Sequence, residues 1–251
     1  MRIPFVAANW KMHKTVEEAL SYTEIFQDLL PTNLNVEIVL AVPFTALHPI
    51  AKALSGTKIS VAGQDLHWEI RGAYTGEISG DMIRETGATH VVIGHSERRH
   101  IFGETDSDVN FKVKAAIRSS LVPIICTGET LEERTGNQTM AVLDRQIETG
   151  LKGLNSDQVS NCIVAYEPVW AIGTGQTATP DQVQEVHGHI RSHLAQLFGQ
   201  NASQQCRVIY GGSVKPANVF ELSAQPDVDG SLVGGAGLDP ESFADIVEKS
   251  T

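Results

Sequence analysis

Short apolar segments recur along this chain about every thirty residues, and this spacing limits its possible folds more than any other feature. The eight segments are residues 5–10, 37–42, 59–63, 90–94, 122–126, 163–166, 207–210 and 228–233. Stretches with helical periodicity separate them, and strands that alternate with helices form parallel sheets. Eight such units in 251 residues predict an α/β protein with a closed (β/α)8 barrel, built as one domain over residues 1–251.

Three of the predicted helices have recognisable first turns. Thr15-Val16-Glu17-Glu18 has the pattern of a capping box, in which two side chains satisfy free backbone N–H groups. Thr179-Pro180 and Asp239-Pro240 each place proline at the first helical position, where its missing N–H does no harm. The helices between the strands are therefore expected to begin at these positions.

Charge and hydropathy exclude several classes of partner. The formal net charge of −11 argues against nucleic acid, which is bound by basic surfaces. No run approaches the length of a membrane-spanning helix, and the first predicted strand begins too close to the start for a signal peptide. We expect a cytoplasmic protein with neither nucleic-acid nor membrane partners. A small anionic ligand remains possible because a few backbone N–H groups and one lysine can hold a phosphate.

Metal and disulfide sites are not indicated. Cys126, Cys162 and Cys206 stand far apart, with no CxxC pair and an odd total. His189 and His193 have the i, i+4 spacing of metal ligands, but no third ligand accompanies them. Their helix also belongs to the outer ring of the predicted barrel. We therefore expect no metal.

Four polar residues follow predicted strands at the end where a barrel of this type carries its active site: Asn9, Lys11, His95 and Glu167. Because side chains alternate along a strand, each is expected to continue the face of the residues two and four positions before it. For His95 that face is the one of Val91 and Ile93. Each residue alone could be structural, but the four together predict a site at the barrel mouth.

Glycine pairs follow the last two strands. Gly211-Gly212-Ser213 and Gly234-Gly235 stand where barrels often bind phosphate through backbone N–H groups. Either pair alone could be a tight turn. After adjacent strands, the two pairs together favour a phosphate site.

Residues 168–176 form a connection with an apolar centre between a proline and several glycines. This composition suits a lid that closes over the site, excludes water and brings the Gly173 N–H to a phosphate. A loop packed permanently on the barrel is the alternative.

The segment Glu97-Arg98-Arg99 carries three charges in a row. An ion-pair network is favoured here over a nucleic-acid patch, with Glu97 near Lys11 and Arg98 near Glu104.

These segments resemble the triosephosphate isomerase family over essentially the whole chain. The resemblance extends from Ala8-Asn9-Trp10-Lys11-Met12 to Leu232-Val233-Gly234-Gly235-Ala236, and its most specific parts are residues 92–99, 165–175 and 210–213. It implies a TIM barrel that reversibly interconverts dihydroxyacetone phosphate and D-glyceraldehyde 3-phosphate through a cis-enediolate, in glycolysis and gluconeogenesis. No metal or organic cofactor is implied.

The resemblance also implies roles for individual residues. Glu167 would remove a proton beside the substrate carbonyl, and His95 would act as a neutral imidazole whose basicity is depressed by the helix that follows it. Lys11 and Asn9 would stabilise negative charge. The phosphate would be held by Gly173, Ser213, Gly234 and Gly235, while Glu97 and Cys126 would support the site.

Residues 64–80 resemble the family's long loop, which inserts into the second subunit of a homodimer. Thr75 would then lie near the active site of the partner. Three positions depart from the common family pattern: Ala8 where glycine is frequent, Thr127 where an aliphatic residue or cysteine is usual, and Gly237 where serine is common. None of them is one of the four chemical residues.

Two other functions are compatible with parts of this pattern. An aldolase or an indole-glycerol-phosphate-type synthase would also be a phosphate-binding barrel, but a Schiff-base aldolase needs a lysine inside a central strand, and none is found there. A barrel that binds a phosphosugar or a protein without catalysis would be marked by loss of Glu167 or His95, and both are present.

Overall fold

The structure, a computed structural model, describes residues 2–172 and 176–251. In this part of the chain, eight parallel strands close into a barrel. The strands are β1 Phe5–Asn9, β2 Glu37–Ala41, β3 Ile59–Gly63, β4 His90–Ile93, β5 Val122–Thr127, β6 Ile163–Tyr166, β7 Arg207–Tyr210 and β8 Gly230–Val233. Each strand pairs with the next in sequence, and β8 closes the ring on β1 with Gly230 opposite Phe5. The predicted (β/α)8 barrel is confirmed.

The eighth strand is shorter than predicted, since it begins at Gly230 and not at residue 228. The Asp229 carboxylate accepts the backbone N–H of Val208 at 2.7 Å, a donor that a longer strand would direct to a carbonyl. Gly230 then passes so close to β1 that a Cβ there would lie 1.8 Å from the carbonyl oxygen of Phe5. The Asp229 carboxylate and the close approach of Gly230 to β1 explain why the apolar pattern overestimated the length of this strand.

Helices surround the barrel between the strands. Those within the described residues are α1 Val16–Leu29, α2 Phe44–Ala53, α3 Gly80–Glu85, α4 Ser96–His100, α5 Asp106–Arg118, α6 Leu131–Thr135, α7 Thr139–Gly150, α8 Ser156–Ser160, α9 Pro180–Phe198, α10 Gln200–Gln205, α11 Val219–Ser223 and α12 Pro240–Lys249. The three predicted helix starts are confirmed, because Thr15, Thr179 and Asp239 are N-caps whose side chains accept backbone N–H groups. Of the helices that the structure describes, none combines the length and apolarity needed to cross a membrane.

The core has two layers that follow the alternation of side chains along the strands. One cluster fills the barrel itself and consists of Phe5, Ala7, Val39, Ala41, Ala62, Val92, Ile124, Cys126, Ile163, Ala165, Ile209 and Leu232. The other, larger cluster lies between the strands and the surrounding helices. Both faces of the sheet are therefore buried, and only the ends of the strands are left to carry polar chemistry.

Candidate active site

A cavity of about 430 Å³ opens at the C-terminal ends of the strands. Seven of the residues predicted for the site line it: Asn9, Lys11, His95, Glu167, Ser213, Gly234 and Gly235. The eighth residue predicted for the site, Gly173, lies outside the described residues. Ile172, the last described residue before it, also lines the cavity. The fold thus brings together polar groups from strands that are far apart in sequence.

The carboxylate of Glu167 lies directly against the imidazole of His95. Oε1 is 3.0 Å from Nε2 of His95, and Oε2 accepts the backbone N–H of Ser96 at 2.9 Å. Both side chains are almost fully buried. Burial by itself raises the pKa of Glu167, but the charge and hydrogen bond of His95, together with the Ser96 N–H, lower it below the usual value. Glu167 is therefore held as a carboxylate.

The tautomer of His95 follows from its position at the start of α4. Its Nδ1 accepts the backbone N–H of Glu97 at 3.2 Å, so in a neutral ring the proton resides on Nε2, which faces Glu167. The depressed basicity predicted for His95 is wrong for this arrangement. Burial lowers the pKa of His95, yet the charge of Glu167 and its hydrogen bond outweigh burial, and the pKa is raised.

The route by which His95 reaches the cavity also differs from the prediction. Val91 and Ile93 face the helices, and it is Val92 that points into the barrel, so simple alternation would direct His95 outward. β4 ends at Ile93, and Gly94 has a φ of +67°, in the left-handed region that favours glycine. This turn breaks the alternation and redirects His95 to the mouth. Asn9 and Glu167 do follow the inward faces of β1 and β6, as predicted.

Lys11 lies two residues beyond the end of β1, in a left-handed backbone conformation with a φ of +52°. The Asn9 Oδ1 accepts its backbone N–H at 3.0 Å, and Gln64 Nε2 donates to its carbonyl oxygen at 2.9 Å. Its ammonium group donates to Glu97 Oε1 at 2.6 Å, which confirms the predicted contact between these residues. The lysine is thus fixed at both ends of its side chain, with its positive charge at the cavity.

The glycine pairs occupy the other side of the cavity. Gly235 begins the 3-10 turn Gly235–Leu238, and a Cβ added at Gly234 would lie 3.7 Å from Cε of Lys11. A Cβ at Gly212 would lie 2.2 Å from the hydroxyl oxygen of Tyr210, so only glycine fits there. Glycine backbone and the Lys11 side chain therefore line the same cavity, a combination of residues suited to an anion.

Cys126 and Glu97 lie beside the cavity and do not line it. The Cys126 thiol is fully buried, and burial together with the nearby charge of Glu167 raises its pKa well above the usual value. It therefore stays a neutral thiol. Arg98 donates to Glu104, as predicted, while Arg99 donates to the carbonyl oxygens of Gly94 at 2.8 Å and Cys126 at 3.0 Å.

Three contributions to the geometry of the site were not predicted from the sequence. Ser96 supplies an N–H to Glu167, Gln64 holds the backbone of Lys11, and Gly211 leaves room for Glu167, because a Cβ there would lie 2.8 Å from Cγ of Glu167. The turn before His95 had one signal in the sequence, the glycine at position 94 that ends the predicted strand segment. The backbone N–H of Ser96 leaves no signal in a sequence.

Two further predictions concern residues outside the cavity. Thr75 is exposed in the connection between β3 and α3, away from the cavity of its own chain. Within the described residues, no group of three or more His, Cys, Asp or Glu side chains could hold a metal ion. His189 instead contacts Asp144, with 2.7 Å between Nε2 and Oδ1.

Comparison with known proteins gives consistent matches over nearly the full length. A family model described as triosephosphate isomerase matches residues 4–250. Triosephosphate isomerase of Citrifermentans bemidjiense is 54% identical over 250 residues, with 100% of each chain covered, and that of Moorella thermoacetica is 54% identical over 247 residues, with 98% of each covered. A crystal structure of triosephosphate isomerase from Bartonella henselae superimposes with a TM-score of 0.89 at 42% identity, covering 98% of both chains.

Proposed function

The chain belongs to the triosephosphate isomerase family, and on that premise we propose how its cavity carries out the reaction. The protein is an isomerase that interconverts dihydroxyacetone phosphate and D-glyceraldehyde 3-phosphate, a step of glycolysis and gluconeogenesis. The observation that carries the residue assignment is the direct contact between Glu167 and His95 inside a cavity that also exposes Lys11.

Glu167 acts as the base that removes a proton from the carbon beside the substrate carbonyl. A catalytic base must be ionised at the working pH and must lie within hydrogen-bond reach of the proton that it abstracts. The lowered pKa of Glu167 meets the first condition, and its position in the cavity lining supports the second. Removal of the proton gives a cis-enediolate, and return of the proton to the neighbouring carbon completes the isomerisation.

His95 polarises the carbonyl and carries a proton between the two substrate oxygens. With Nδ1 accepting the Glu97 N–H, the neutral imidazole presents Nε2–H to the cavity as a donor. Substrate that separates His95 from Glu167 would remove the main cause of the raised pKa of His95 and favour the neutral ring.

Lys11 and Asn9 stabilise the negative charge of the phosphate and of the enediolate. The backbone N–H groups of Gly234 and Gly235, with Ser213, bind the phosphate, and Gly173 would join them from outside the described residues. Fixed donors aimed at developing charge lower the barrier because they need no reorganisation during the reaction. The reaction needs no cofactor, since the substrate carbonyl accepts the electrons.

We further propose that the enzyme is a homodimer of one-domain subunits. Large apolar side chains are exposed on segments that follow β1, β3 and β4 at the same end of the barrel: Met12, Ile70, Tyr74, Ile101 and Phe102. Exposed apolar surface of this kind marks interaction sites, and a second copy inserting its Thr75 loop would cover it. The cytoplasm, where glycolysis supplies both triose phosphates, is the proposed location.

A coupled assay on glyceraldehyde 3-phosphate tests the function. We expect isomerisation by the purified chain, competitive inhibition by inorganic phosphate, and no turnover of fructose 1,6-bisphosphate. Isomerisation that survives unchanged in Glu167→Gln would refute the assigned base. Binding of the triose phosphate without turnover would identify a catalytically silent barrel, and cleavage of the bisphosphate would identify an aldolase.

A further inference from the structure

Two small residues meet behind the phosphate side of the cavity, Ala8 on β1 and Gly237 in the 3-10 turn Gly235–Leu238. A Cβ added at Gly237 would lie 2.9 Å from the Cβ of Ala8 and 3.3 Å from its Cα. Carbon atoms in favourable contact are about 3.5–4.0 Å apart. The contact therefore has room for one methyl group, and Ala8 supplies it.

The glycine at 237 is required by this fit and not by its backbone. Gly237 is not among the residues with positive φ, so its conformation is open to any residue. Its neighbours are fixed: Ala8 is fully buried in a strand paired on both sides, opposite Leu40 of β2 and Val233 of β8. Because β1 cannot yield, a side chain at 237 would displace the turn.

The turn is held by hydrogen bonds to the cavity wall and to the segment that follows β1. Gly237 donates its N–H to the carbonyl oxygen of Gly234 at 2.8 Å, and its own carbonyl oxygen accepts the Tyr22 hydroxyl at 2.9 Å. Lys14 Nζ donates to the carbonyl oxygen of Leu238 at 2.9 Å. Movement of Gly237 would therefore be transmitted to Gly234, which packs close to Lys11.

We propose that Ala8 is a positioning residue for phosphate binding: its methyl group, seated against Gly237, sets the distance between the 3-10 turn and Lys11. The inference rests on the proposed function, in which Gly234, Gly235 and Lys11 bind the substrate phosphate. Because the contact has room for only one methyl group, the side chain of Ala8 and the absence of one at Gly237 are matched to each other.

A cycle of three variants tests the proposal: Gly237→Ala, Ala8→Gly and the double variant. KM and kcat for glyceraldehyde 3-phosphate and the inhibition constant of inorganic phosphate are measured for each. Overpacking by Gly237→Ala should raise both KM and the inhibition constant about tenfold, with kcat changed less than about threefold. Removal of the Ala8 methyl widens the closest contact from 2.9 to 3.3 Å, so the double variant should recover most of the affinity.

The matched control is Gly150→Ala at the end of α7, where the new Cβ would make an ordinary 3.5 Å contact with Val109 Cγ1. We expect wild-type KM and phosphate inhibition from it. If Gly237→Ala does not fold, the proposal is tested by comparing Ala8→Gly with the double variant. The double variant should bind phosphate more tightly than Ala8→Gly.

Each contrary result has a distinct meaning. Unchanged phosphate inhibition in Gly237→Ala, or a double variant whose effects simply add, would overturn the role of Ala8 while leaving the isomerase assignment intact. A wild-type enzyme that isomerises but is not inhibited by phosphate would refute the proposed phosphate site, and with it this inference. A wild-type enzyme without isomerase activity would refute the function itself.

Discussion

Glu167 and His95 contact each other directly, so the protonation of each depends on the other. The carboxylate stabilises the charged imidazole, and the imidazole and the Ser96 N–H stabilise the carboxylate. Substrate has to interrupt this contact before Glu167 can reach a carbon and His95 an oxygen. The resting pair thus keeps both groups oriented toward the cavity before the reaction begins.

Replacing Glu167 by Gln should abolish the base while preserving shape. We expect kcat to fall about a thousandfold, the usual contribution of a positioned base, with KM changed little. Steady-state kinetics in the coupled assay measure both values. Glu24→Gln, at an exposed position of α1, is the matched control and should keep wild-type activity. A loss of less than tenfold in Glu167→Gln would assign the base elsewhere.

The same pair should make stability depend on pH. Glu167, whose pKa is lowered on folding, stabilises the protein above its usual pKa of 4.5, and this is lost as the pH falls through the folded value. His95, whose pKa is raised, stabilises it below its usual pKa of 6.5, and this is lost as the pH rises through the folded value. The pair therefore contributes fully only between these two values.

Urea unfolding of the wild type and of Glu167→Gln tests this dependence. The difference in unfolding free energy between the two proteins should be larger at about pH 5.5 than at about pH 8.5. An equal difference at both values would show that His95 does not gain protons from its contact with Glu167.

Residues on regular strands were the ones that the sequence could place. Asn9 and Glu167 continue inward faces, and alternation alone predicted their direction. His95 was assigned to the right end of the barrel for the wrong reason, because alternation stops at Gly94. Contacts made through backbone atoms, such as Ser96 to Glu167, depend on the folded loop and carry no residue preference that a sequence could show.

At the scale of elements, the connection from β4 to α4 determines how His95 is presented. Gly94 turns the chain, and Arg99 from the same short helix donates back to the Gly94 carbonyl oxygen. Arg99 also donates to Asp106 at the start of α5 and to the carbonyl oxygen of Cys126 in β5. One guanidinium group thereby fixes the turn against two neighbouring elements.

Gly94→Ala should damage both stability and catalysis. The new Cβ would lie 2.6 Å from Val109 Cγ2, at a φ of +67°. Strain and overpacking together should lower the unfolding free energy by about 3 kcal/mol, and displacement of His95 should reduce kcat about a hundredfold.

Gly56→Ala is the matched control for Gly94→Ala. Gly56 has a φ of +83°, and its new Cβ would have no atom within 4 Å. It should lose only about 1 kcal/mol and keep its activity. Urea unfolding and steady-state kinetics are measured for both variants. Equal losses of unfolding free energy and of kcat in Gly94→Ala and Gly56→Ala would attribute the effect to backbone strain alone.

Helix starts were more predictable than the start of the last strand. Thr15, Thr179 and Asp239 were identified because a cap requires an oxygen-bearing side chain at a defined spacing. The start of β8 was misjudged, because the carboxylate of Asp229, directly before it, takes the place of a backbone acceptor. A cap is a pattern of a few adjacent residues, whereas the contact between Asp229 and Val208 depends on how the last two strands pair.

For the whole molecule, the repeat of eight apolar segments predicted the barrel, because eight alternating strand–helix units in one domain are typical of this fold. The count of eight indicated a closed barrel, whereas the register in which β8 pairs with β1 is seen only in the structure. The proposed second subunit is likewise a property of the surface, where the apolar residues that follow β1, β3 and β4 remain exposed in a single chain.

Thr75→Arg tests that assembly. In the proposed homodimer the added charge would be buried at the interface, so the solution mass should fall from twice 27.1 kDa toward 27.1 kDa, with activity at least tenfold lower. Ser55→Arg, exposed after α2, is the control and should remain dimeric. Analytical ultracentrifugation at several concentrations measures the mass, and a wild-type mass of 27.1 kDa would refute the dimer.

The left-handed backbone of Lys11 means that folding and catalysis favour different residues at this position. Glycine adopts such a φ without strain, whereas a residue with a side chain loses about 1 kcal/mol or more there. Glycine at residue 11 would therefore relieve the backbone but would remove the ammonium group that contacts Glu97 and lines the cavity. Lysine at this position is therefore a trade-off, in which some stability is lost and a positive charge is gained at the cavity.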